Sequence, residues 1–380
     1  MELSFWEKDT FLSNIDVIIV GSGIVGLNAA LYLREQSPLL KIVVVERGPL
    51  PSGASTKNAG FACFGSMSEL LDDVALNGED AMLALVEKRW KGLLQLREKL
   101  GDSHIDFQQL GGHEVFGNDD AASYSNCAEQ LDKYNLALKD VIGDPEVFRL
   151  SDNLIKKQGL REFNHLILNR FEGQIHTGKM MERLFQLAQS QNITFLNGIK
   201  ISSFEEAANT VQIHTDNGWV LKARKALVCT NGFTGQLFPE LDVIPARNQV
   251  LISTPIQGLK MKGSFHYNKG YVYFRNVYDR ILLGGGRNLF LREETTDAFG
   301  LTDDIQAFLE DFLKTHLMPE NSNCAIDMRW SGILGIGDKK SPIITRYSDH
   351  IYTAVRLGGM GVAIGILVGR EGAELLYENM

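Results

Sequence analysis

The sequence predicts an α/β nucleotide-binding fold combined with a second domain of the α+β class. A glycine-rich turn and a helical pattern follow the apolar run at residues 17–20, and a second apolar run covers residues 42–45. This strand–helix–strand order is typical of a parallel sheet. Residues 245–286 instead contain successive strand patterns without intervening helices, which indicates an antiparallel sheet. The 380 residues, 44% of them hydrophobic, are sufficient for two domains.

The first candidate site is a glycine-rich turn of six residues: Gly21, Ser22, Gly23, Ile24, Val25 and Gly26. Gly21 permits a tight turn, Gly23 lets the backbone approach a pyrophosphate, and Gly26 lets the helix pack against the strand. The N–H groups at the helix N-terminus favour an anion. Glu46 lies 20 residues after Gly26, where a carboxylate can accept hydrogen bonds from a ribose. These residues predict a dinucleotide site but do not distinguish FAD from NAD.

Composition excludes several classes of function. The formal net charge is −9 and no Lys/Arg-rich run occurs, so we expect no nucleic-acid partner. No apolar stretch is long enough to span a membrane. Residues 1–9 are too polar for a signal peptide, so we expect a cytoplasmic protein. Neither the histidines nor the cysteines have metal-ligand spacing, and no metal is expected; the cysteines are Cys63, Cys127, Cys229 and Cys324.

Local patterns place the remaining elements along the chain. Helices are predicted at residues 27–36, 79–99, 121–138, 178–191, 303–316 and 365–377. Strands are predicted at residues 193–196, 199–201, 211–215, 219–222, 226–229, 250–254, 271–275, 281–284 and 351–354. Asn217-Gly218 between two of these runs is a strong hairpin signal. Residues 49–60 are rich in small and polar side chains and predict an ordered loop.

Further motifs continue in a fixed order after the first turn. They are Gly53-Ala54-Ser55, Asn58-Ala59-Gly60, Cys229-Thr230-Asn231-Gly232, Pro245-Ala246-Arg247-Asn248-Gln249, Trp330-Ser331-Gly332, Pro342-Ile343-Ile344 and Gly358-Gly359-Met360-Gly361. With this order, nearly the whole chain resembles the D-amino-acid oxidase-like family of FAD-dependent oxidoreductases, in its glycine oxidase and sarcosine oxidase branch. The resemblance implies an α/β FAD-binding Rossmann-like domain (1–100, 151–240 and 331–380). It also implies an inserted α+β substrate-binding domain carrying an antiparallel sheet (101–150 and 241–330).

The resemblance extends the set of expected FAD contacts. Carried over by position, they are Arg47, Ser55, Asn58, Ala59, Gly60, Ile201, Thr230, Asn231, Gly232, Gly358, Gly359, Met360, Gly361, Val362 and Ala363. Residues 55–60 would line the pyrophosphate and flavin, Ile201 would meet the adenine end through its backbone, and residues 358–364 would lie along the isoalloxazine. Some relatives bind flavin covalently through a cysteine near the Trp-x-Gly motif. The nearest cysteine here is Cys324, ahead of Trp330, so noncovalent FAD is expected.

The resemblance also implies the reaction. An amine or N-substituted amino acid would lose a hydride from carbon to flavin N5, and dioxygen or another acceptor would reoxidise the flavin. Because the cofactor performs the bond chemistry, the protein has mainly to orient the substrate and exclude water. Two alternatives stay open at this point: an FAD-dependent dehydrogenase of a hydroxy acid or polyol phosphate, and a non-catalytic flavin-binding assembly protein.

The family pattern is interrupted where a substrate-binding arginine belongs. In glycine oxidase-like sequences this arginine follows the Trp-x-Gly motif by two positions, and here that position is Leu334. A second family arginine is replaced by Gly359. Candidates to replace them are Arg275, Arg329 and Arg247, each of which has a structural alternative: an exposed sheet face, an ion pair, or a brace between domains.

Two tyrosines and one histidine complete the candidate substrate site. Tyr271 aligns with a tyrosine that contacts substrate in relatives, and Tyr273 shares its face of a strand. One of the two is expected to reach the site and the other to pack. His113 could approach the substrate, but a satisfied structural histidine is the commoner case. The predicted substrate-site residues are therefore Tyr271, Tyr273, Arg275 and Arg329.

Overall fold

The computed structural model describes residues 2–318 and 324–380. Its strands are β1 Ile15–Val20, β2 Ile42–Glu46, β3 Phe61–Ala62, β4 Gly112–Phe116, β5 Phe148–Leu150, β6 His165–Asn169, β7 Gly173–Gln174, β8 Thr194–Asn197, β9 Ile201–Ala207, β10 Thr210–Thr215, β11 Val220–Val228, β12 Ile244–Ser253, β13 Ser264–Tyr267, β14 Val272–Val277, β15 Arg280–Gly285, β16 Ile326–Ile336, β17 Ile343–Arg346 and β18 Ile351–Val355. Its α-helices are α1 Phe5–Glu7, α2 Ile24–Gln36, α3 Met67–Asn77, α4 Glu79–Leu100, α5 Ala121–Ile142, α6 Asn153–Gln158, α7 Thr177–Ser190, α8 Asp303–Phe312 and α9 Gly361–Tyr377.

The chain divides into two compact units, each built from separate segments. The first unit contains Met1–Lys57, Thr177–Ala246 and Ile333–Met380; the second contains Asn58–His176 and Arg247–Gly332. Residues 58–100 and 151–176 therefore lie in the second unit, although the sequence predicted them in the FAD-binding domain. The reason is non-local: β3 pairs with β7, and α3 and α4 share a buried cluster with α5. Two-residue strands such as β3 leave no periodic signal in a sequence.

A parallel sheet forms the centre of the first unit. The strand order is β17-β18-β11-β1-β2-β8, with β10 and β9 added beside β11, and β17 is antiparallel to β18. The runs at β1 and β2 are buried along their length, as expected for strands covered on both faces. The two strands predicted at 219–222 and 226–229 are one strand, β11. Its beginning pairs with β10 in the predicted hairpin, and its end continues between β1 and β18.

Helices α2 and α9 pack closely against each other in the first unit. A Cβ on Gly365 would lie 2.4 Å from Ile24 Cγ2, and a Cβ on Gly369 would lie 2.4 Å from the Val25 carbonyl oxygen. Only a glycine face permits this approach. Successive turns of α9 meet successive residues of α2, so the helices run in parallel. Helix α9 begins at Gly361 rather than at the predicted Gly365, because the N–H of Ile364 already bonds to the Met360 carbonyl.

The second unit contains a large sheet in the order β16-β12-β15-β14-β13-β4-β6-β5. The expected antiparallel sheet is in fact mixed, because β13 runs parallel to β4. One face packs on α8 through buried side chains that include Phe265, Phe274 and Phe312. Helix α8 ends at Phe312, and residues Leu313–Leu317 continue as a π-helix, within the helix predicted at 303–316. At the β4-β6-β5 end, Phe116, Ile167 and Phe148 belong instead to the buried cluster formed with α3, α4 and α5.

Two kinds of feature are absent from the described part of the chain. None of its helices is both long and apolar enough to cross a bilayer. Among residues 2–318 and 324–380, no cluster of three or more His, Cys, Asp or Glu side chains could hold a metal ion.

Candidate active site

The glycine-rich turn forms a tight cradle at the N-terminus of α2. Gly21 has a φ of +107°, and a Cβ on Gly26 would lie 1.9 Å from the Gly21 carbonyl oxygen. A Cβ on Gly23 would lie 2.8 Å from Ser55 Oγ, and this hydroxyl accepts a hydrogen bond from the Ile24 N–H at 3.0 Å. Backbone contacts therefore require glycine at positions 21 and 26, whereas a Cβ at position 23 would displace the Ser55 hydroxyl and fill the cradle. The cradle places helix N–H groups and a hydroxyl where they suit an anion.

Glu46 has more partners than the sequence predicted. Its carboxylate is 5% exposed and accepts hydrogen bonds from the Ser22 N–H and hydroxyl (3.2 and 2.9 Å), the Gly48 N–H (3.0 Å) and the Ser52 N–H and hydroxyl (3.4 and 2.9 Å). A carboxylate offers about four acceptor positions. A ribose hydroxyl can therefore donate to Glu46 only if the Ser22 or Ser52 hydroxyl rotates away from the carboxylate. Otherwise it can donate to one of these serine hydroxyls. Glu46 thus anchors both the glycine turn and the loop after β2.

The second glycine turn begins α9. Gly358 and Gly359 have φ values of +57° and +87°, and Met360 precedes the first helical residue, Gly361. Asn231 positions this turn, because its Oδ1 accepts a hydrogen bond from the Leu357 N–H at 3.2 Å. Val362 and Ala363 lie in the first helical turn. The predicted flavin-contacting run is therefore a helix N-terminus, parallel to that of α2.

The two positions that lack the family arginines lie beside this turn. A Cβ on Gly359 would lie 3.8 Å from Leu334 Cδ1, and a Cβ on Gly232 would lie 2.4 Å from the Leu334 carbonyl oxygen. The structure therefore brings Leu334, Gly359 and Gly232 together, although they are far apart in sequence. Arg356, with a φ of +64°, is paired with Asp242 at 2.5 Å. It is committed to that carboxylate.

Three predicted contacts of the first unit have other visible roles. The Arg47 guanidinium lies 3.5 Å from the centre of the Phe233 ring. The Thr230 hydroxyl lies 3.1 Å from that of Thr234. Ile201 begins β9 and is buried, whereas the N–H of Ile199 bonds to the Glu46 carbonyl at 3.0 Å. Ile199, which the sequence reasoning did not select, is therefore the residue joined to the end of β2.

In the second unit, Arg275 holds the loop that contains Asn58, Ala59 and Gly60. Its Nη1 donates to the carbonyls of Gly60 and Ile175, both at 2.8 Å, and its Nε donates to the Asn276 carbonyl at 3.1 Å. The Gly60 N–H in turn donates to Asn58 Oδ1 at 2.8 Å. Arg275 is 6% exposed, and burial lowers its pKa to about 10. Within residues 2–318 and 324–380 its hydrogen-bond partners are carbonyls, without a carboxylate.

Tyr273 and Arg275 point to the same face of β14. The Tyr273 ring packs edge-on against Phe61, with 5.8 Å between centroids, and covers Gly284, where a Cβ would lie 2.5 Å from Tyr273 Cε2. Burial raises the pKa of the phenol, so the hydroxyl stays protonated at neutral pH. Tyr271 precedes β14 and is 41% exposed.

The other candidate side chains are engaged in structural contacts. Arg329 pairs with Glu310 at 2.6 Å, and Arg247 binds Glu294 through Nε and Nη2, both at 2.9 Å. His113 Nδ1 lies 3.0 Å from the Ser264 carbonyl oxygen, and its ring stacks on that of Phe265. Burial lowers the pKa of His113 to about 4, so it is neutral. Arg275 is thus the candidate arginine whose guanidinium has no acidic partner among the described residues.

Comparison with known proteins identifies the family. A family model described as FAD dependent oxidoreductase (DAO) matches residues 16–375. The chain belongs to this family. It is therefore an FAD-dependent oxidoreductase and its cofactor is FAD, as predicted; the alternative of a non-catalytic assembly protein is set aside.

The relatives of this DAO-family chain cover nearly its full length. It is 27% identical to gamma-glutamylputrescine oxidoreductase of Escherichia coli (strain K12), over 95% of this chain and 83% of the relative. Solved structures with the same fold include glycine oxidase from Geobacillus kaustophilus (TM-score 0.74, 18% identity, 96% of this chain and 95% of that one). L-proline dehydrogenase from P. horikoshii is similar (TM-score 0.73, 18% identity, 96% and 94%). At these identities the structural matches establish the fold.

The first unit of this oxidoreductase fits FAD on its own geometry. The cradle that a Cβ on Gly23 would fill, the Ser55 hydroxyl and the N-terminus of α2 suit a pyrophosphate. The parallel N-terminus of α9 offers a second set of N–H groups and a positive dipole end. When bound, FAD supplies the redox chemistry, and the protein supplies position and charge.

Proposed function

We propose that this enzyme oxidises the C–N bond of an amine or N-substituted amino acid, by hydride transfer from carbon to flavin N5. The observation that carries the proposal is the buried Arg275 guanidinium. It donates to backbone carbonyls, and no carboxylate among the described residues accepts a hydrogen bond from it. Buried charges in proteins are normally paired. An anionic group on the substrate would provide the missing partner. The relatives support a nitrogen-containing substrate, since the compounds in their names all contain an amine nitrogen: glutamylputrescine, glycine, iminodiacetate and proline.

In this proposal, Arg275 and Tyr273 orient the substrate from one face of β14. Residues two apart on a strand lie on the same side, so the phenol and the guanidinium can donate to one carboxylate. Charge-assisted hydrogen bonds to arginine are strong and directional. The Gly60 carbonyl accepts a hydrogen bond from the same guanidinium. The loop that contains Gly60 is therefore held in place when the substrate binds. These residues need no proton-transfer role.

The apolar contact between Leu334 and Gly359 supports the same assignment. The resemblance places substrate-binding arginines at these two positions, and here neither Leu334 nor Gly359 has a charged side chain. We infer that a carboxylate on the substrate is bound elsewhere, and Arg275 is the candidate arginine without an acidic partner among the described residues. This favours an N-substituted amino acid over a small α-amino acid held in the family's usual manner.

The reaction class can be tested with the purified yellow protein under anaerobic conditions. Amines, N-substituted amino acids, hydroxy acids and polyol phosphates are mixed with it in separate panels, and the visible flavin band is followed. Bleaching by the amines or amino acids is expected. Bleaching by hydroxy acids or polyol phosphates alone would instead establish the dehydrogenase alternative. Oxygen consumption during turnover would show whether dioxygen is the electron acceptor.

The role of Arg275 can be tested with a pair of substrates. A hydrogen bond to a charged group contributes about 1.5–3 kcal/mol, so Arg275→Gln should raise KM for a carboxylate-bearing substrate about 10- to 100-fold. The corresponding amine without a carboxylate should be affected much less. Arg329→Gln is the matched control, because that guanidinium is paired with Glu310. Equal losses for both substrates would contradict the assignment.

A further inference from the structure

A buried carboxylate and a buried imidazole face each other in the second unit, beside the segment that follows Gly60. Glu172 is 0% exposed and His266 is 5% exposed. Glu172 Oε2 lies 3.6 Å from His266 Nε2. These two atoms have no hydrogen-bond partner among the described residues. Each therefore depends on the charge of the other.

The Glu172 carboxylate is fixed from two further sides. Its Oε1 accepts hydrogen bonds from the successive N–H groups of Phe64 and Gly65, at 2.8 and 2.9 Å. Its Oε2 rests on Gly112, where a Cβ would lie only 1.9 Å away. The adjacent cavity leaves no space for a water molecule. Glu172 therefore links residues 61–65 directly to the sheet, with no screening solvent.

The surroundings of His266 keep the imidazole charged. Burial alone would lower its pKa, but the carboxylates of Glu172, Glu69 and Glu114 outweigh this and raise the pKa to about 9. Glu69 Oε2 lies 4.0 Å from Nδ1, and Glu114 is the cross-strand neighbour on β4. The charged or titratable groups around His266 and its partners are Glu172, Glu69, Glu114, His113, Cys63, Arg89 and Tyr273.

An aromatic row connects this pair to the proposed substrate face. The His266 ring meets Phe61 edge-on at 5.2 Å between centroids, and Phe61 meets Tyr273 edge-on at 5.8 Å. Phe61 directly follows Gly60, whose carbonyl is held by Arg275. A shift of the imidazole therefore displaces Phe61 against Tyr273, because the rings are in contact and close-packed interiors transmit such shifts.

We propose that Glu172 and His266 form a buried ion pair that positions Phe61 and Tyr273 for the reaction. Both are positioning residues: they act on the substrate through the two aromatic rings. The proposal deepens the proposed function and rests on it, since Tyr273 is assigned there as a substrate contact. The ion pair itself can be tested without any substrate.

The test uses the FAD-loaded enzyme labelled with 4-fluorophenylalanine, followed by ¹⁹F NMR from pH 6 to 10. The Phe61 resonance is assigned from its absence in Phe61→Leu. In the unmodified enzyme its shift should show a step near pH 9, and His266→Gln should remove the step. Glu172→Gln keeps an oxygen for the Phe64 and Gly65 N–H groups but loses the charge, so the step should move below pH 7.

Glu294→Gln is the matched control, because Glu294 is also a buried carboxylate of the second unit, 1% exposed, and is bound to Arg247. It should lose stability while the Phe61 step stays near pH 9. With an amine that bleaches the flavin, Glu172→Gln should lower kcat at least about tenfold and alter its pH profile, with a smaller change in KM. Glu294→Gln should retain the profile.

Either of two results would overturn the proposal. One is a Phe61 resonance without a step at the pKa of His266, or with the same step in Glu172→Gln. The other is a shifted step with an unchanged kcat profile, which would mean that the pair positions nothing used in turnover. Failure of every amine and amino acid to bleach the flavin would instead refute the proposed function, while the fluorine measurement would still decide whether the pair acts on Phe61.

Discussion

Replacing Glu46 with alanine should weaken the protein even in the absence of FAD. The substitution leaves the backbone N–H groups of Ser22 and Gly48 without their acceptor. A buried donor without a partner costs about 1–3 kcal/mol, so the free energy of unfolding should fall by about 2–6 kcal/mol. That is a large part of the 5–15 kcal/mol typical of a domain. FAD retention should fall as well, because the glycine turn and a ribose acceptor are both disturbed.

The assay combines chemical denaturation of flavin-free protein with flavin occupancy after dialysis. Glu87→Ala is the control, because that carboxylate is exposed and pairs with Lys91 on the same helix, and it should change stability by less than about 0.5 kcal/mol. If Glu46→Ala lowers FAD occupancy without changing the denaturation midpoint, Glu46 is a ribose acceptor alone. Unchanged occupancy and an unchanged midpoint would refute both roles.

Two further predictions concern the cradle and a buried acid. Gly23→Val should abolish FAD binding, because its Cβ alone would lie 2.8 Å from Ser55 Oγ. Gly53→Ala is the control and should stay yellow, because no atom of the described residues outside its chain neighbours lies within 4 Å of the new Cβ. A yellow, active Gly23→Val enzyme would contradict the nucleotide site. Burial raises the pKa of Glu114 to about 7 from 4.5, so the folded protein loses up to about 3 kcal/mol of stability as pH rises from 4.5 to 7. Glu114→Gln should flatten this loss in denaturation curves measured across that range, and an unchanged slope would refute the raised pKa.

The nucleotide turn was predictable because its requirements are local. Gly21, Gly23 and Gly26 each answer a steric need within one strand–turn–helix unit, and the spacing to Glu46 follows from the second strand. The saturation of Glu46 by serine hydroxyls was not predictable. Ser52 lies in an irregular loop whose path depends on contacts that no periodic pattern records.

The substrate side was less predictable, because it depends on strand pairing. The sequence does not distinguish the three candidate arginines, Arg275, Arg329 and Arg247. They differ only in their neighbours on other elements, because Arg329 forms an ion pair with Glu310 and Arg247 forms one with Glu294. Glu172 was missed altogether. Its partners Phe64 and Gly65 lie more than 100 residues away, and it carries no motif around it.

The packing of α2 against the glycine face of α9 joins two helices that are synthesised far apart in time. Helix α2 begins at residue 24 and its packing partner begins at residue 361. At synthesis rates of about 5–20 residues per second, the first helix waits roughly 15–70 s for the second. During that interval the surface of α2 that packs on α9 lacks its partner and is exposed to chaperones. The packed α2–α9 pair is therefore completed late in the biogenesis of this enzyme.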